Sequence, residues 1–196
     1  MQKQGKPIHK MIRVITLAPV LAAVALTLLH LAQQSIYRGA GDYLLALVWL
    51  TVFPLLAYPL QPLIPKYRDK GREGQRKLAI VMAVLGYVGG TACSLVTRAC
   101  AGLRMVYLEY LLSGCLIFIF NKVLHVRASG HACGVAGPIA YLTWFFGPWA
   151  LCGAAVLALV YWASLKMGRH TLKELAWGTV LPVAALGGAL ALTGLL

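Results

Sequence analysis

The sequence predicts an all-α fold: a polytopic membrane bundle of about six or seven transmembrane helices, forming a single domain over residues 1–196. The composition indicates a membrane protein, because 60% of the residues are hydrophobic, only 12% are charged and the mean hydropathy is +0.77. A soluble domain carries roughly 25% charged residues. Apolar runs also recur along the chain, and about 20 apolar residues cross a hydrocarbon core of roughly 30 Å.

The apolar runs place the helices, and turn or charged segments separate them. The candidate spans are residues 12–33, 43–65, 78–97, 104–121, 131–146, 148–165 and 174–195. Four prolines between positions 54 and 65 predict that the second span kinks or ends early. The fifth and sixth spans are short, since about 16 residues rise only about 24 Å, so each must tilt or borrow polar flanks. The sequence "FGP" at 146–148 predicts a tight turn between them.

The net charge of +13 lies in short polar segments and is not spread like a nucleic-acid footprint. Those segments are residues 1–13, 66–77, 122–127 and 166–173. Basic clusters beside spans are typical of cytoplasmic anchors that favour anionic lipid headgroups, so we expect membrane lipids and no nucleic acid as partners. We expect a bacterial or archaeal cell membrane with the N-terminus cytoplasmic. The two later segments face the cytoplasm if all seven candidates cross, and outward if one early candidate is re-entrant.

The cysteines and the N-terminus add two expectations. The five cysteines lie in or beside apolar segments without C-x-x-C spacing, which predicts reduced packing residues and neither a disulfide framework nor a metal site. The basic N-terminus leads into an apolar run without a clear small-residue cleavage site. This pattern predicts a retained first span in place of a cleaved signal peptide.

Two polar segments carry the candidate chemistry. They flank two short spans and a tight turn, so they lie on one face, and His131 comes to the same surface as His170. His170 and Glu174 are four residues apart and share a helix face. A carboxylate there can accept the proton of one ring nitrogen and leave the other nitrogen as a nucleophile. Lys166 and Arg169 add cationic donors that suit a phosphate.

The first of these segments reads "NKVLHVRASGHACG" and has the features of an anion site. It offers the side chains of Lys122 and Arg127, the Ser129 hydroxyl, and the backbone N–H groups of Ser129 and Gly130. A helix opening at about His131 would add its N-terminus to this seat. His131 itself could protonate a leaving oxygen as a general acid. The two segments together predict phosphoryl transfer.

"SGH", a small-residue helix, a gap of two spans and then "G-R-H-T-x-x-E-x-x-x-G" resemble the type 2 phosphatidic acid phosphatase superfamily over residues 120–180. The resemblance implies a membrane enzyme that dephosphorylates lipid phosphates or diphosphates without a cofactor or metal. It implies that His170 is the nucleophile that becomes phosphorylated, that Glu174 orients it and that His131 is the general acid. It also implies the phosphate contacts: Lys122, Arg127, Ser129 and Gly130.

The chain departs from the family pattern at several positions. Ala128 replaces the proline before Ser-Gly-His, and Lys122 and Arg127 are only five residues apart without the Arg-Pro pair. Glu174 replaces the family's aspartate. Ser164 stands six residues before His170, where the family has arginine. These departures predict a divergent member with weak or altered activity, in which Lys166 or Arg169 replaces the missing cation.

The leading expectation is therefore a lipid phosphate phosphatase or phosphotransferase, acting on a polyprenyl phosphate or diphosphate or on a glycerolipid phosphate. One alternative is a non-catalytic protein that binds or moves an anionic lipid, suggested by Ser164. Another is a small proton-coupled transporter that uses Glu109, a carboxylate within an apolar run, together with the histidines. Pairing of Glu109 with Arg104 at the interface is an equally good interpretation. The sequence does not indicate the oligomeric state.

Overall fold

The computed structural model describes residues 7–196, except the side chains of residues 7, 9, 10 and 13. The described chain is helical and contains no strand, which confirms the predicted fold class. The helices are α1 Pro7–Ile15, α2 Ala18–Ala32, α3 Ala40–Leu47, α4 Phe53–Leu55, α5 Ala57–Leu60, α6 Pro65–Arg68, α7 Gly71–Val96, α8 Ala101–Phe118, α9 Gly130–Phe146, α10 Ala154–Lys166 and α11 Leu172–Thr193.

Five helical segments are long and apolar enough to cross a bilayer, which fits an integral membrane protein. They are Ala40–Leu63, Gly71–Val96, Ala101–Val123, Gly130–Lys166 and Leu172–Thr193. Helix α2 is apolar but shorter. The segment Gly130–Lys166 contains both α9 and α10, and the chain reverses between them at Gly147, whose φ of +71° suits a residue without a Cβ.

Two predicted boundaries are wrong. The first span was expected over residues 12–33, but the helix is interrupted after Ile15. The next helix, α2, starts at Ala18 with Pro19 in its first turn. The preceding α1 is a separate helix. The segment 66–77 was expected as a charged loop, yet α7 begins at Gly71 and includes most of it. An ion pair of 2.6 Å between Glu73 and Lys77, one turn apart, stabilises that exposed helix start.

The predicted kink in the second span is confirmed. Helix α3 gives way to a π-helical turn over Val48–Val52, and the short helices α4 and α5 follow, because each proline removes a backbone donor. The kinked segment packs on α7, where glycines leave room for the Trp49 ring. A Cβ on Gly89 would lie 2.4 Å from a ring carbon of Trp49.

The helices run between two ends of the bundle. At one end, which we call the site end, Thr16 contacts His131, so the residues after α1 lie beside the start of α9. Helix α7 runs antiparallel to α8, because Gly90 faces Tyr107 and Gly114 faces Tyr87. The start of α7 therefore also lies at the site end, beside the end of α8.

The opposite end holds the other connections. Arg38 pairs with Asp42 at 2.6 Å and donates to the Thr97 carbonyl, which ties the α2–α3 connection to the end of α7. Gln33 donates to the Phe145 carbonyl at 3.4 Å, at the end of α9. The N-terminal helix and the two predicted motif segments therefore share one end of the molecule.

Candidate active site

His170 and Glu174 form the centre of the site, at the start of α11. The Thr171 hydroxyl caps this helix by accepting from the Glu174 N–H at 3.3 Å. The Glu174 side chain turns to His170, and its Oε2 lies 2.7 Å from Nδ1. A carboxylate only accepts, so Nδ1 carries the proton of this bond. In the neutral ring, Nε2 is then left with a free lone pair, which is the electronic requirement for a nucleophile.

Glu174 also joins the two motif segments. Its second carboxylate oxygen lies 3.3 Å from Nη1 of Arg127, and its backbone carbonyl accepts from the Ser129 N–H at 2.9 Å. Arg127 remains largely exposed, with 73% of its side chain accessible. One guanidinium therefore stands beside the His170–Glu174 pair and still faces solvent, where it can contact an incoming anion.

Ser129 does not hold the position expected of a phosphate contact. It is fully buried, its N–H is bonded to Glu174, and its hydroxyl accepts from the Ala132 N–H at 3.3 Å as the N-cap of α9. The open part of the predicted anion seat is the next residue. Gly130 is exposed, no atom lies within 4 Å of the place where its Cβ would stand, and its N–H is one of the unpaired donors that begin a helix.

His131 is held from the N-terminal segment, a contact that no local sequence signal reveals. Its Nε2 lies 3.0 Å from the hydroxyl of Thr16, 115 positions earlier. That hydroxyl donates its single proton to the Ile12 carbonyl at 2.8 Å. Thr16 must therefore accept from His131, so Nε2 carries a proton. His131 and His170 lie at the same end of the bundle.

Asn121 shapes the loop between α8 and α9 and was not identified from the sequence. Its Nδ2 donates to the Ala128 carbonyl at 3.2 Å, and its Oδ1 accepts from the Ala128 N–H at 3.1 Å. Nδ2 also bonds the Ile117 carbonyl at 2.9 Å. The side chain thus closes residues 121–128 into a fixed loop and sets where Arg127 and Ser129 stand. The sequence does hold one signal for this role, which is an Asn at a helix end shortly before a Ser-Gly cap.

Gly178 lets α11 approach the first motif closely. A Cβ at this position would lie 2.4 Å from the Ser129 carbonyl oxygen and 3.1 Å from the Ala132 Cβ. Only a residue without a side chain permits this distance. The final glycine of the sequence pattern is thereby explained as a packing requirement that holds Glu174 against Ser129.

A cleft of about 290 Å³ opens beside Glu174 and Arg127, near the lower size limit of small-molecule pockets. Its lining consists of His125, Val126, Arg127, Thr171, Lys173, Glu174 and Trp177. His125 and Lys173, which are not among the predicted site residues, also line this cleft. His125 also has a φ of +54°, a conformation that non-glycine residues rarely adopt and that is found preferentially at functional sites.

The other predicted cations lie at the site end and form no ion pair with Glu174. Lys122 and Lys166 are exposed and Arg169 is half-buried, and none forms an ion pair within residues 7–196. Ser164, six residues before His170, is buried in α10, and its carbonyl accepts from the Arg169 N–H at 3.1 Å. The guanidinium beside Glu174 is therefore that of Arg127.

Glu109 lies apart from this site, in the interior of α8. It is 1% exposed and accepts from the Ser113 hydroxyl at 2.9 Å, while its Oε2 has no hydrogen-bond partner in the described part of the chain. The expected alternative pairing with Arg104 is not present, because Arg104 forms no ion pair there. Gly137 leaves room for the carboxylate, since a Cβ would lie 2.7 Å from Oε1.

The described residues contain no cluster of three metal-ligating side chains, and all five cysteines are free. Comparison with family models, curated proteins and solved structures gave no match for this chain.

Proposed function

We propose that this protein is a membrane lipid phosphate phosphatase that works through a phosphohistidine intermediate. The observation that carries the proposal is the 2.7 Å contact between Nδ1 of His170 and Glu174, at the end of the bundle that also holds His131. The substrate class, a polyprenyl phosphate or diphosphate or a glycerolipid phosphate, follows from the membrane setting and from the family resemblance alone.

In the first step, Nε2 of His170 attacks phosphorus in line with the ester oxygen. The N–P bond forms, the P–O bond to the lipid breaks, and Glu174 stabilises the positive charge on the imidazole through Nδ1–H. A protonated His131 gives its Nε2 proton to the leaving oxygen, which takes the place of the Thr16 hydroxyl. Arg127 and the Gly130 N–H hold the phosphoryl oxygens as their charge develops.

In the second step, water attacks the phosphohistidine. Neutral His131 accepts a proton from that water, the N–P bond breaks, and the pair of electrons returns to Nε2 of His170. A lipid monophosphate gives the lipid alcohol and inorganic phosphate, a lipid diphosphate gives the lipid monophosphate and inorganic phosphate, and both histidines regain their starting protonation. An acceptor alcohol in place of water would give a phosphotransferase by the same steps.

The test is phosphate release by the purified protein from a panel of lipid phosphates and diphosphates. We expect release by the native protein and by Ser35→Ala, an exposed position at the opposite end. We expect loss of release by at least about 100-fold in His170→Gln and in His131→Gln. The native protein should acquire a labelled phosphoryl group that acid removes. His170→Gln should acquire no such label.

Two results would reject this proposal. One is native turnover in both histidine variants. The other is no release from any substrate by protein that is folded and binds these lipids, which would favour a non-catalytic lipid-binding protein. The buried Ser164 at the family's arginine position is the observation that favours that alternative.

A second candidate function is proton-coupled transport, favoured by the unpartnered oxygen of Glu109. Carboxylates inside membrane bundles are costly and are commonly used to bind protons or ions. The test is proton flux in liposomes with native protein and Glu109→Gln. A flux that Glu109→Gln abolishes, without lipid phosphate turnover, would replace the phosphatase proposal.

A further inference from the structure

The basic residues of this chain are distributed very unequally between the two ends of the bundle. The chain has 18 lysines and arginines against five acidic residues. The basic segments 66–77, 122–127 and 166–173 all lie at the site end, as does α1, whose sequence is "PIHKMIRVI". Among residues 7–196, the opposite end carries Arg38, Arg98 and Arg104.

Few of the cations at the site end are neutralised. The acidic residues there, Asp69, Glu73 and Glu174, each pair with one cation. At the opposite end, Arg38 is bound by Asp42. The site end is therefore a strongly positive surface, which we call the basic face, whereas in the described part of the chain the opposite end carries only three arginines and one of them is paired with Asp42.

Helix α1 supplies an apolar border to this face. The side chains of Ile8, Met11 and Ile15, at three- and four-residue spacing, are each about half exposed. Exposed apolar residues along one side of a basic helix are typical of a segment that lies in the plane of the membrane interface. Because α1 ends beside Thr16 and His131, this interfacial helix borders the candidate site.

We propose that the basic face lies on the cytoplasmic side of the membrane and binds the anionic headgroups of the inner leaflet. Loops rich in Lys and Arg remain on the cytoplasmic side during insertion, and anionic lipids attract such clusters. Since the cleft with Arg127 and Glu174 opens at this end, the proposed phosphatase takes its substrate from the inner leaflet. That last step rests on the proposed function, whereas the orientation and the lipid binding do not.

The orientation is tested by cysteine labelling in cells. A Cys-free background receives one cysteine at a time: Lys70→Cys and Lys122→Cys for the basic face, and Ser35→Cys or the native Cys152, all exposed, for the opposite end. We expect a membrane-impermeant maleimide to label the opposite-end cysteines on intact cells. The basic-face cysteines should react only after permeabilisation. The reverse pattern, or labelling of both ends on intact cells, would overturn the proposal.

Lipid binding is tested with protein reconstituted in phosphatidylglycerol or phosphatidylcholine vesicles. We expect a higher Tm in phosphatidylglycerol, and we expect about 1 M salt to abolish the difference, since it shortens the screening length to roughly 3 Å. Lys70→Gln/Arg72→Gln/Arg76→Gln should reduce the Tm difference, whereas Arg98→Gln, at the opposite end, should leave it unchanged. Equal Tm values in the two lipids would overturn the lipid-binding half. Neither measurement depends on turnover, so these failures are distinguishable from failure of the phosphatase proposal.

Discussion

Gly178 lies directly against the Ser129 carbonyl, so close that a Cβ would stand 2.4 Å from that oxygen. This contact holds the start of α11 against the start of α9. The helix dipoles and the polar side chains of both motif segments therefore meet at one place, although 39 residues separate His131 from His170 in the sequence.

Gly178→Ala should push α11 away from Ser129, because the added methyl meets a backbone carbonyl that cannot rotate aside. We expect a loss of about 1–3 kcal/mol of stability, measured as a lower Tm in detergent, together with loss of lipid phosphate turnover. The matched control is Gly187→Ala in the same helix, where no atom lies within 4 Å of the added Cβ. An unchanged Tm in Gly178→Ala would contradict the tight approach.

Asn121→Asp should loosen the loop before Ser129. Aspartate keeps the oxygen that accepts from the Ala128 N–H but lacks the N–H group that bonds the Ala128 and Ile117 carbonyls. Each lost hydrogen bond is worth about 1 kcal/mol. We expect a lower Tm and faster proteolysis within residues 122–128, and Asn121→Ala should be worse on both counts. The control is Gln34→Ala, because Gln34 is exposed at the opposite end. An equal loss of Tm and equal proteolysis in this variant would show that the effect is not specific to Asn121.

Thr16→Val should release His131 while keeping the shape of the side chain. Valine cannot accept from Nε2, whereas Thr16→Ser retains the acceptor. We expect the ring-nitrogen NMR signals of His131 to show protonated Nε2 in the native protein and in Thr16→Ser. A mixture of tautomers should appear in Thr16→Val. Identical spectra for all three proteins would show that Thr16 does not set the tautomer.

Glu174→Gln should impair chemistry more than binding, because it removes the charge that orients and stabilises the His170 ring. If the phosphatase proposal holds, kcat should fall by about 10²–10⁴-fold with a smaller change in KM. Glu73→Gln, which removes an exposed carboxylate outside the cleft, should leave kcat unchanged. A larger effect on KM than on kcat would assign Glu174 to substrate binding.

Ser113→Ala should destabilise the bundle through Glu109, since the Ser113 hydroxyl donates to that buried carboxylate. Leaving a buried polar group without its partner costs about 1–3 kcal/mol. In a Glu109→Leu background the same change should cost little, and this non-additivity can be measured as the coupling in a double-mutant cycle. Additive Tm changes would show that Glu109 does not depend on Ser113.

The sequence predicts the parts of this site that depend on local periodicity. The four-residue spacing of His170 and Glu174 places them in contact, and Ser129 before Gly130 begins a helix where expected. The role of Ser129 in that turn was not predictable, because its N–H is bound by a residue from another helix.

Contacts between residues that are distant in sequence depend on the tertiary packing, so local sequence patterns do not predict them. Thr16 meets His131 only because α1 breaks away from α2, and no periodic pattern marks that break. The side chain of Asn121 closes an irregular loop, whose path depends on hydrogen bonds and not on an apolar repeat. Span boundaries shifted for a related reason, since Arg72 and Lys77 are polar residues that still continue a helix.

The contact between Thr16 and His131 bears on how the protein should be handled at the bench. A purification tag at the N-terminus would precede α1, the helix that leads to the Thr16–His131 contact at the site end. Helix α11 ends at Thr193 at the far end of the bundle, where Gly194 terminates it with a φ of +70°. A tag placed at the C-terminus lies away from the cleft, so fusion proteins for activity measurements should carry it there.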